Sequence, residues 1–153
     1  MKKFLLLVSF ILASGMSSAQ WIMQNTNTDG DFTDIVFVDD MTGWAVLADD
    51  YPQVHYTTDG GQTWQWCFEL FGLLQGTGTS VSFFNADNGW LSDGTNIFHT
   101  ADVSTGCGSE WINQATESIT MVSTSLHFAD AQHGWLVGNY DGGCNIYLSR
   151  FYR

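Results

Sequence analysis

The carboxylates are the side chains of this sequence with the clearest capacity for chemistry. Asp and Glu number 16 in a chain of 153 residues, against four Lys and Arg. Two carboxylates about 5 to 10 Å apart could hydrolyse a glycosidic bond. The candidates lie in segments typical of turns, where Asp usually bonds to the backbone of the turn itself. They are Asp39, Asp40, Asp49, Asp50 and Asp93. The sequence therefore predicts no catalytic residue, and a fragment of a carbohydrate-active enzyme is the alternative.

The histidines and a short acidic segment are the candidates for metal binding. The histidines are His55, His99, His127 and His133, and they lack the spacing of a zinc site. Residues 25–31 place oxygen-bearing side chains at alternate positions with a glycine sixth, as at the start of a calcium loop. These side chains are Asn25, Asn27, Asp29 and Asp31. Val36 stands where such a loop needs glutamate, which favours a solvated turn over a calcium site. We expect no metal and no organic cofactor.

The basic residues lie only near the two ends of the chain. They are Lys2, Lys3, Arg150 and Arg153, and the formal net charge is −12. A chain this acidic cannot neutralise phosphate groups, which excludes nucleic acids and anionic membranes as partners.

The first 20 residues have the pattern of a cleaved export signal. Two lysines precede the apolar run from Phe4 to Ala13, and the small residues Ser17-Ser18-Ala19 follow it. The run is too short to span a bilayer, so no transmembrane segment is expected. We predict a signal peptide over residues 1–20, a mature domain over residues 21–153, and a secreted or periplasmic location in a bacterium.

An internal repeat covers the mature chain. Gly-Trp occurs at residues 43–44, 89–90 and 134–135, that is, every 45 or 46 residues. A phenylalanine lies six residues before each of these glycines, at Phe37, Phe83 and Phe128. Three aligned blocks at one period indicate a true duplication. The repeats extend over approximately residues 32–68, 79–114 and 124–153.

Each repeat contains segments for four short strands, here named a to d. In the first repeat, strand a covers Phe32 to Val38, b covers Trp44 to Ala48, c covers Val54 to Thr57, and d begins at Trp64. The continuous apolar character of strand a predicts burial on both faces. Four strands per repeat predict an all-β fold, a partial β-propeller of four-stranded antiparallel blades. A β-sandwich with coincidental duplication is the alternative.

The chain has too few repeats for a closed propeller, which usually has about four to eight blades. Residues 21–26 are expected to form a clasp-type outer strand of the last blade, because Trp21, Trp64 and Trp111 open equivalent segments. We predict either a truncated copy of a longer propeller or an arc completed by a partner. The exposed edges and apolar blade faces of such an arc favour self-association.

The hairpin between strands c and d contains the most specific motif of the chain. In the first repeat it fits the pattern Ser/Thr-x-Asp-x-Gly-x-x-Trp. The hydroxyl and the carboxylate are expected to bond to the turn's backbone, the glycine to adopt positive φ, and the tryptophan to cover the hairpin. The residues are Thr57, Asp59, Gly61 and Trp64, and an interrupted second copy contains Thr100, Asp102 and Trp111.

These motifs resemble the Asp-box, or BNR-type, propeller repeats. The pairing of Phe-x-Asp/Asn-x-x-x-Gly-Trp with Asp-Gly-Gly-x-Thr-Trp is most similar to the repeats of photosynthesis system II assembly factors. The resemblance covers Trp21 to Ser149 and implies a propeller, and the same repeat occurs in sialidases, sortilin-like receptors and xyloglucan hydrolases. A sialidase needs an arginine cluster around the substrate's carboxylate, and Arg150 and Arg153 are the only arginines, so sialidase activity is excluded for this chain in isolation.

Three cysteines follow the predicted signal peptide, at positions 67, 107 and 144. Cys67 lies early in strand d of the first repeat and Cys107 in the c–d hairpin of the second, so both are expected near one rim of neighbouring blades. An oxidising compartment permits a Cys67–Cys107 disulfide. Free buried thiols are the alternative.

The rim opposite the Asp-box hairpins is the predicted binding surface. Its b–c turns contain acids in all three repeats, twice beside a tyrosine that could stack on a sugar or a side chain. These residues are Asp49, Asp50, Tyr51, Asp93, Tyr140 and Asp141, with Asp29 and Asp31 expected on the same rim. Ordinary solvated turns are the alternative. The surface would suit cationic or polyhydroxyl partners, that is, a protein or a carbohydrate.

The sequence thus predicts an exported, non-catalytic binding or scaffold module for protein or glycan. Two alternatives stay open: a fragment of a glycoside hydrolase-type propeller, and an assembly factor of the photosystem II type, which the resemblance implies. Further blades or a catalytic domain in a longer gene would separate these classes.

Overall fold

The computed structural model describes residues 20–26, 28–48, 53–67, 80–103, 107, 111–114, 121–140 and 149–150. These residues form β-strands and no helix, so none of them belongs to a helix that could cross a membrane. The strands are β1 Asp31–Phe37, β2 Gly43–Ala48, β3 Gln53–Thr57, β4 Gln65–Trp66, β5 Ser80–Phe83, β6 Gly89–Ser92, β7 Ile97–Thr100, β8 Ile112–Asn113, β9 Met121–Phe128, β10 Gly134–Tyr140 and β11 Ser149–Arg150.

The strands form three antiparallel sheets in chain order, one for each sequence repeat. Blade 1 contains β1 to β4, blade 2 contains β5 to β8, and blade 3 contains β9 to β11. The a–b register is the same in every blade, since Trp44 lies opposite Val36, Trp90 opposite Ser82, and Trp135 opposite His127. The predicted all-β class with four-stranded antiparallel blades is confirmed.

One side chain stabilises the a–b turn of every blade. Oδ1 of Asp39 accepts hydrogen bonds from the backbone N–H groups of Met41 and Thr42, both at 2.7 Å. Asn85 and Asp130 make the same pair of bonds in blades 2 and 3, at 2.8 to 2.9 Å. Because such bonds hold the chain in a tight turn, the acid or amide two residues after each repeat phenylalanine is structural.

The strands a of successive blades pack side by side, β1 against β5 and β5 against β9. All four residues of β5 are buried, as expected for a strand covered on both faces. In β1, however, Phe32, Ile35 and Phe37 are exposed. The prediction that strand a of the first repeat is buried on both faces is therefore wrong, because no sheet of the described chain covers its outer side. This strand also begins and ends one residue earlier than predicted.

Hydrophobic cores fill the spaces between the described blades. The core between blades 1 and 2 contains Trp44, Val46, Val81, Phe83, Leu91 and Phe98, and that between blades 2 and 3 contains Trp90, Ile97, Leu126, Phe128 and Leu136. A disulfide joins Cys67 to Cys107 at the first core, with the Cα atoms 5.2 Å apart. It therefore ties blade 1 covalently to blade 2. Cys144 lies outside the described residues.

Residues 20–26 run outside every described strand. Trp21, Ile22 and Met23 are exposed. The clasp strand expected at residues 21–26 is thus not paired in this structure and stays a prediction. Residues 1–19 of the predicted signal peptide lie outside the described part of the chain.

Candidate functional site

An aromatic stack joins each blade to the next. The indole of Trp44 in blade 1 is parallel to the ring of Phe83 in blade 2, with centroids 3.8 Å apart and planes 8° from parallel. Trp90 and Phe128 repeat this contact between blades 2 and 3, at 3.9 Å and 6°. Stacked pairs of this kind add about 0.5–1.5 kcal/mol to the gain from buried area. The Gly-Trp tryptophan is thus the side chain that attaches a blade to its successor.

The glycine of Gly-Trp makes this stack sterically possible. A methyl group added at Gly43 would lie 2.8 Å from the ring of Phe37 in the same blade. The corresponding approaches at Gly89 to Phe83 and at Gly134 to Phe128 are closer still. Each repeat phenylalanine therefore has its own blade's glycine on one side and, where a preceding blade exists, that blade's tryptophan on the other.

The tryptophan of the c–d hairpin contacts the same phenylalanine from its edge. Trp64 meets Phe37 at 6.0 Å and 81°, and Trp111 meets Phe83 at 6.3 Å and 83°. In blade 2 the phenylalanine is thus enclosed by a glycine and two tryptophans.

Polar contacts between neighbouring strands a accompany the aromatic stacks. Oδ2 of Asp34 accepts hydrogen bonds from Ser80 Oγ at 2.6 Å and from the backbone N–H of Val81 at 2.9 Å. Ser80 Oγ in turn accepts one from the N–H of Leu126 at 3.1 Å. An oxygen-bearing side chain at this position of strand a therefore bonds to the backbone of the following blade.

Both ends of the arc expose one half of this interface. We call Phe32, Ile35 and Phe37 the Phe37 face, and Ser125, His127 and Trp135 the Trp135 face. Phe37 is 41% exposed, whereas Phe83 and Phe128 are 5% and 4% exposed. Likewise Trp135 is 39% exposed, against 1% for Trp44 and 4% for Trp90. The same residue types are buried inside the arc and exposed at its ends.

An open groove lies along the Phe37 face. Its volume is about 400 Å³, and its lining includes Gln24 and Thr26 from the N-terminal segment. Phe32 and Ile35 of β1, Ala45 of β2, and Trp64 complete most of the wall. Thr33 and Asp34 also line it, so the groove combines aromatic and aliphatic residues with polar ones.

The c–d hairpin of blade 1 uses its polar side chains internally. The carboxylate of Asp59 accepts hydrogen bonds from Thr57 Oγ1 at 2.8 Å, Thr63 N at 2.9 Å and Thr63 Oγ1 at 2.6 Å. These bonds, above all the one from the Thr63 hydroxyl, lower the pKa of Asp59 to about 2. Thr57 Oγ1 accepts the N–H of Gly61, whose φ of 85° suits a residue without a side chain. Asp59 thus stabilises the hairpin.

The interrupted hairpin of blade 2 differs from that of blade 1. Thr100 Oγ1 accepts a bond from the N–H of Asp102 at 3.4 Å and donates one to the Asp102 carbonyl at 3.3 Å. The indole N–H of Trp111 donates to the carbonyl of Cys107 at 2.9 Å. The disulfide residue therefore supplies the backbone contact that holds this tryptophan.

The structure corrects one member of the predicted acidic rim. Asp93 is 1% exposed, and its Oδ1 accepts hydrogen bonds from the N–H groups of Thr95 and Asn96 at 2.9 and 2.6 Å. Its Oδ2 accepts a third bond, from Asn96 Nδ2 at 3.0 Å. The assignment of Asp93 to a binding surface is wrong, because its carboxylate is buried and hydrogen-bonded within its own turn. Asp49, Asp50, Tyr51, Asp141 and the side chain of Tyr140 lie outside the described residues.

The structure describes three of the four candidate calcium ligands. Asn25, Asp29 and Asp31 are exposed, and Asn27 is not among the described residues. No group of three His, Cys, Asp or Glu side chains within the described ranges is arranged to hold a metal ion. His55 is buried, and this burial lowers its pKa, which keeps the ring neutral.

The sequence did not single out the Phe37 and Trp135 faces as sites. A signal was nevertheless present: Trp44 and Trp90 each match the phenylalanine of a following repeat, Phe83 and Phe128, whereas the three aligned blocks contain no such match for Trp135. The first phenylalanine, Phe37, likewise follows no Gly-Trp. Pairing each Gly-Trp tryptophan with the phenylalanine of the next repeat, in addition to aligning the repeats, leaves Phe37 and Trp135 without a match and so identifies both faces.

No protein-family model matches the chain, and no curated protein matches it. Two of the solved structures to which the chain is similar are of YCF48. YCF48 bound to D1 peptide is 21% identical with a TM-score of 0.60, and YCF48 from Cyanidioschyzon merolae is 19% identical with a TM-score of 0.57. The similarity covers 80% and 81% of this chain but 41% and 38% of the YCF48 chains, so the chain spans about two fifths of their length. YCF48 is a β-propeller, and the likeness confirms that this chain has the fold of part of a propeller.

Proposed function

We propose that this chain is an exported, non-catalytic scaffold that binds protein through the Phe37 face and its groove. The observation that carries the proposal is the exposure of Phe32, Ile35 and Phe37 beside an open groove of about 400 Å³. Contiguous apolar surface bordered by polar groups marks protein interaction sites on soluble proteins. A rigid sheet beneath the groove means that little ordering entropy is lost when a partner binds.

The similarity to YCF48 supports a protein partner. One of the solved YCF48 structures holds a D1 peptide. The repeats of this chain also resemble those of photosystem II assembly factors. The proposed role is therefore that of an assembly-type propeller whose surface holds a segment of another protein.

Four carboxylates of the described residues support a non-catalytic role. Asp39 and Asp130 each bond to two backbone N–H groups of their own turn. Asp59 and Asp93 are likewise engaged within their hairpins. These carboxylates stabilise turns, which is the role that the sequence context of Asp39 and Asp93 favours over hydrolysis.

The charge of the chain indicates which peptide probes it should bind best. The formal net charge is −12, and no basic residue occurs between Lys3 and Arg150. A field of one sign speeds the approach of an oppositely charged partner, and the effect weakens as salt rises. Among short peptides used as probes, those that combine an apolar side chain for the groove with basic residues beside it should therefore bind best.

Selection of peptides from a random displayed library on the immobilised full chain tests the proposal. We expect enriched peptides with an aromatic or aliphatic anchor flanked by Lys or Arg. Synthetic versions of these peptides should bind the chain and lose at least about tenfold in affinity when Ile35 is replaced by Asp, because a charge would then lie in the groove wall.

Ile112→Asp is the matched control. Ile112 is 50% exposed, close to the 56% of Ile35, but it lies on the outer strand of blade 2, away from the groove. Peptide affinity should be unchanged in this variant. Failure to enrich any peptide, or equal losses in the two variants, would show that the Phe37 face is not a protein-binding site.

A further inference from the structure

We infer that the protein which covers the Phe37 face is a second copy of this chain, docked through its Trp135 face. This inference rests on the proposed function, because it names the partner of the same site. In the docked pair, Trp135 of one copy would stack on Phe37 of the other. This contact between two molecules would be equivalent to the Trp44–Phe83 stack within one molecule.

The first support is that the two faces are the missing halves of one interface. That interface occurs twice inside the chain, as the stacks Trp44–Phe83 and Trp90–Phe128. Phe37 already has the two other contacts of a buried repeat phenylalanine, Gly43 at its ring and Trp64 at its edge. A Gly-Trp tryptophan from a preceding blade is the contact that blade 1 lacks and blade 3 presents.

The second support is the matching position of the polar groups. In strand a, Asp34 and Ser80 each accept a backbone N–H of the following blade, from Val81 and Leu126 respectively. Ser125 has the corresponding position in blade 3 and is exposed on the Trp135 face. The corresponding N–H in blade 1 belongs to Ile35, which donates to Oδ1 of Asp34 at 2.8 Å instead. Docking would bring the Ser125 hydroxyl of the other copy to this N–H, as Ser80 Oγ reaches the N–H of Leu126 between blades 2 and 3.

The third support is that the Trp135 face brings no acid to the Asp34 carboxylate, which lies beside the Phe37 face. The Phe37 face consists of Phe32, Ile35 and Phe37, and the Trp135 face of Ser125, His127 and Trp135. Like charges brought together at an interface cost free energy, and the net charge of −12 could oppose association of identical chains. The contact itself places no carboxylate of these six residues against another.

The geometry of repeats makes the pairing head to tail. A head-to-tail contact between identical chains closes into a ring if the rotation allows it. The three described blades of two copies make six, within the range of about four to eight found in closed propellers. We therefore expect a closed dimer with two equivalent contacts, in each of which Trp135 of one copy stacks on Phe37 of the other.

Sedimentation velocity and light scattering of the full chain, over a wide range of concentration, test the inference. We expect a species of twice the chain mass. Trp135→Ala and Phe37→Ala should each weaken dimerisation by at least about tenfold, as expected for a central aromatic contact. Ile112→Ala removes an exposed aliphatic side chain from blade 2 and should dimerise as the parent does.

Mixing the two variants distinguishes a head-to-tail pair from a symmetric pair and from unfolding. A pair made of one Trp135→Ala chain and one Phe37→Ala chain retains one intact interface, so the mixture should form more dimer than either variant alone. Symmetric docking of two Phe37 faces would leave Trp135→Ala dimeric, and symmetric docking of two Trp135 faces would leave Phe37→Ala dimeric. In neither case would mixing increase the amount of dimer above that of the dimeric variant. Because recovery on mixing requires folded chains, a variant that had merely unfolded would not produce it.

The peptide assay distinguishes failure of this inference from failure of the proposed function. A parent chain that stays monomeric at all concentrations but binds the selected peptides would overturn the self-association and leave the protein-binding role standing. If the inference holds, the selected peptides should bind monomeric Trp135→Ala more tightly than the parent, since a second copy no longer competes for the Phe37 face. Equal affinity for the two would contradict it.

Discussion

The indole of Trp44 lies flat against the ring of Phe83, and Trp90, 46 positions further along the chain, lies in the same way against Phe128. A blade therefore buries its Gly-Trp tryptophan against the following blade and its repeat phenylalanine against the preceding blade. This arrangement gives repeat proteins stability that depends on nearest-neighbour interfaces. It also leaves one tryptophan and one phenylalanine exposed at the ends of an open arc.

Truncation of the stacking tryptophans should have effects that differ by position. Trp90→Ala removes a buried side chain between two blades and should lower the free energy of unfolding by about 3–5 kcal/mol. Trp135→Ala, at an exposed end, should cost about 1 kcal/mol or less. Urea unfolding in dilute solution, where association does not contribute, measures both values. Equal costs at the two positions would contradict the interblade role of the stack.

A methyl group at the Gly-Trp glycine should be destabilising. Gly89→Ala would force the new Cβ into the ring of Phe83, which is held by Trp44 on its other side. We expect a loss of about 1–3 kcal/mol from overpacking. Phe83→Leu in the same chain should reduce the incremental cost of Gly89→Ala, because the smaller side chain frees the space. A double-mutant cycle by urea unfolding measures this coupling, and additive costs would argue against the contact.

Removal of the disulfide should loosen the junction of blades 1 and 2. The bond closes a loop with a sequence separation of 40 residues. Such a cross-link stabilises by about 4 kcal/mol through the entropy of the unfolded chain. Cys67→Ser with Cys107→Ser should therefore unfold at lower urea than the parent, and Cys144→Ser is the control. A reductant should shift the parent towards the double variant and leave that variant unchanged.

The hairpin of blade 1 should make stability dependent on acid. The pKa of Asp59 is about 2 in the folded chain, below its ordinary value, because Thr63 and Thr57 donate hydrogen bonds to the carboxylate. The stabilisation is fully present above the unfolded-state pKa near 4 and is lost as the pH falls towards 2.

Urea unfolding between about pH 5 and pH 2 measures this dependence. Asp59→Asn should flatten the pH profile but not abolish it, because backbone N–H groups also lower the pKa of Asp39 and Asp130. Asp87→Asn, in the exposed a–b turn of blade 2, is the control and should leave the profile as steep as in the parent. An unchanged slope in Asp59→Asn would refute the role assigned to this carboxylate.

The turns and the period are predictable from the sequence because their causes are local. Asp39, Asn85 and Asp130 bond to N–H groups two and three residues away, so their spacing from the phenylalanines already indicates a turn. Asp59 is likewise engaged within five residues of chain. The sequence places Asp93 in the correct b–c turn but predicts the wrong role for it, because the pattern does not reveal that its carboxylate is buried.

The sequence by itself determined the repeat and the four-stranded blade. It could not determine which copy of a repeat residue is covered, since Phe37 and Phe83 stand in the same Phe-x-Asp/Asn-x-x-x-Gly-Trp pattern. Only the tertiary structure decided this, because burial depends on whether a neighbouring blade is present in space. Phe83 is enclosed by Trp44, whereas no described blade precedes Phe37 and no described blade follows Trp135. The candidate binding surface is thus a property of the ends of the arc.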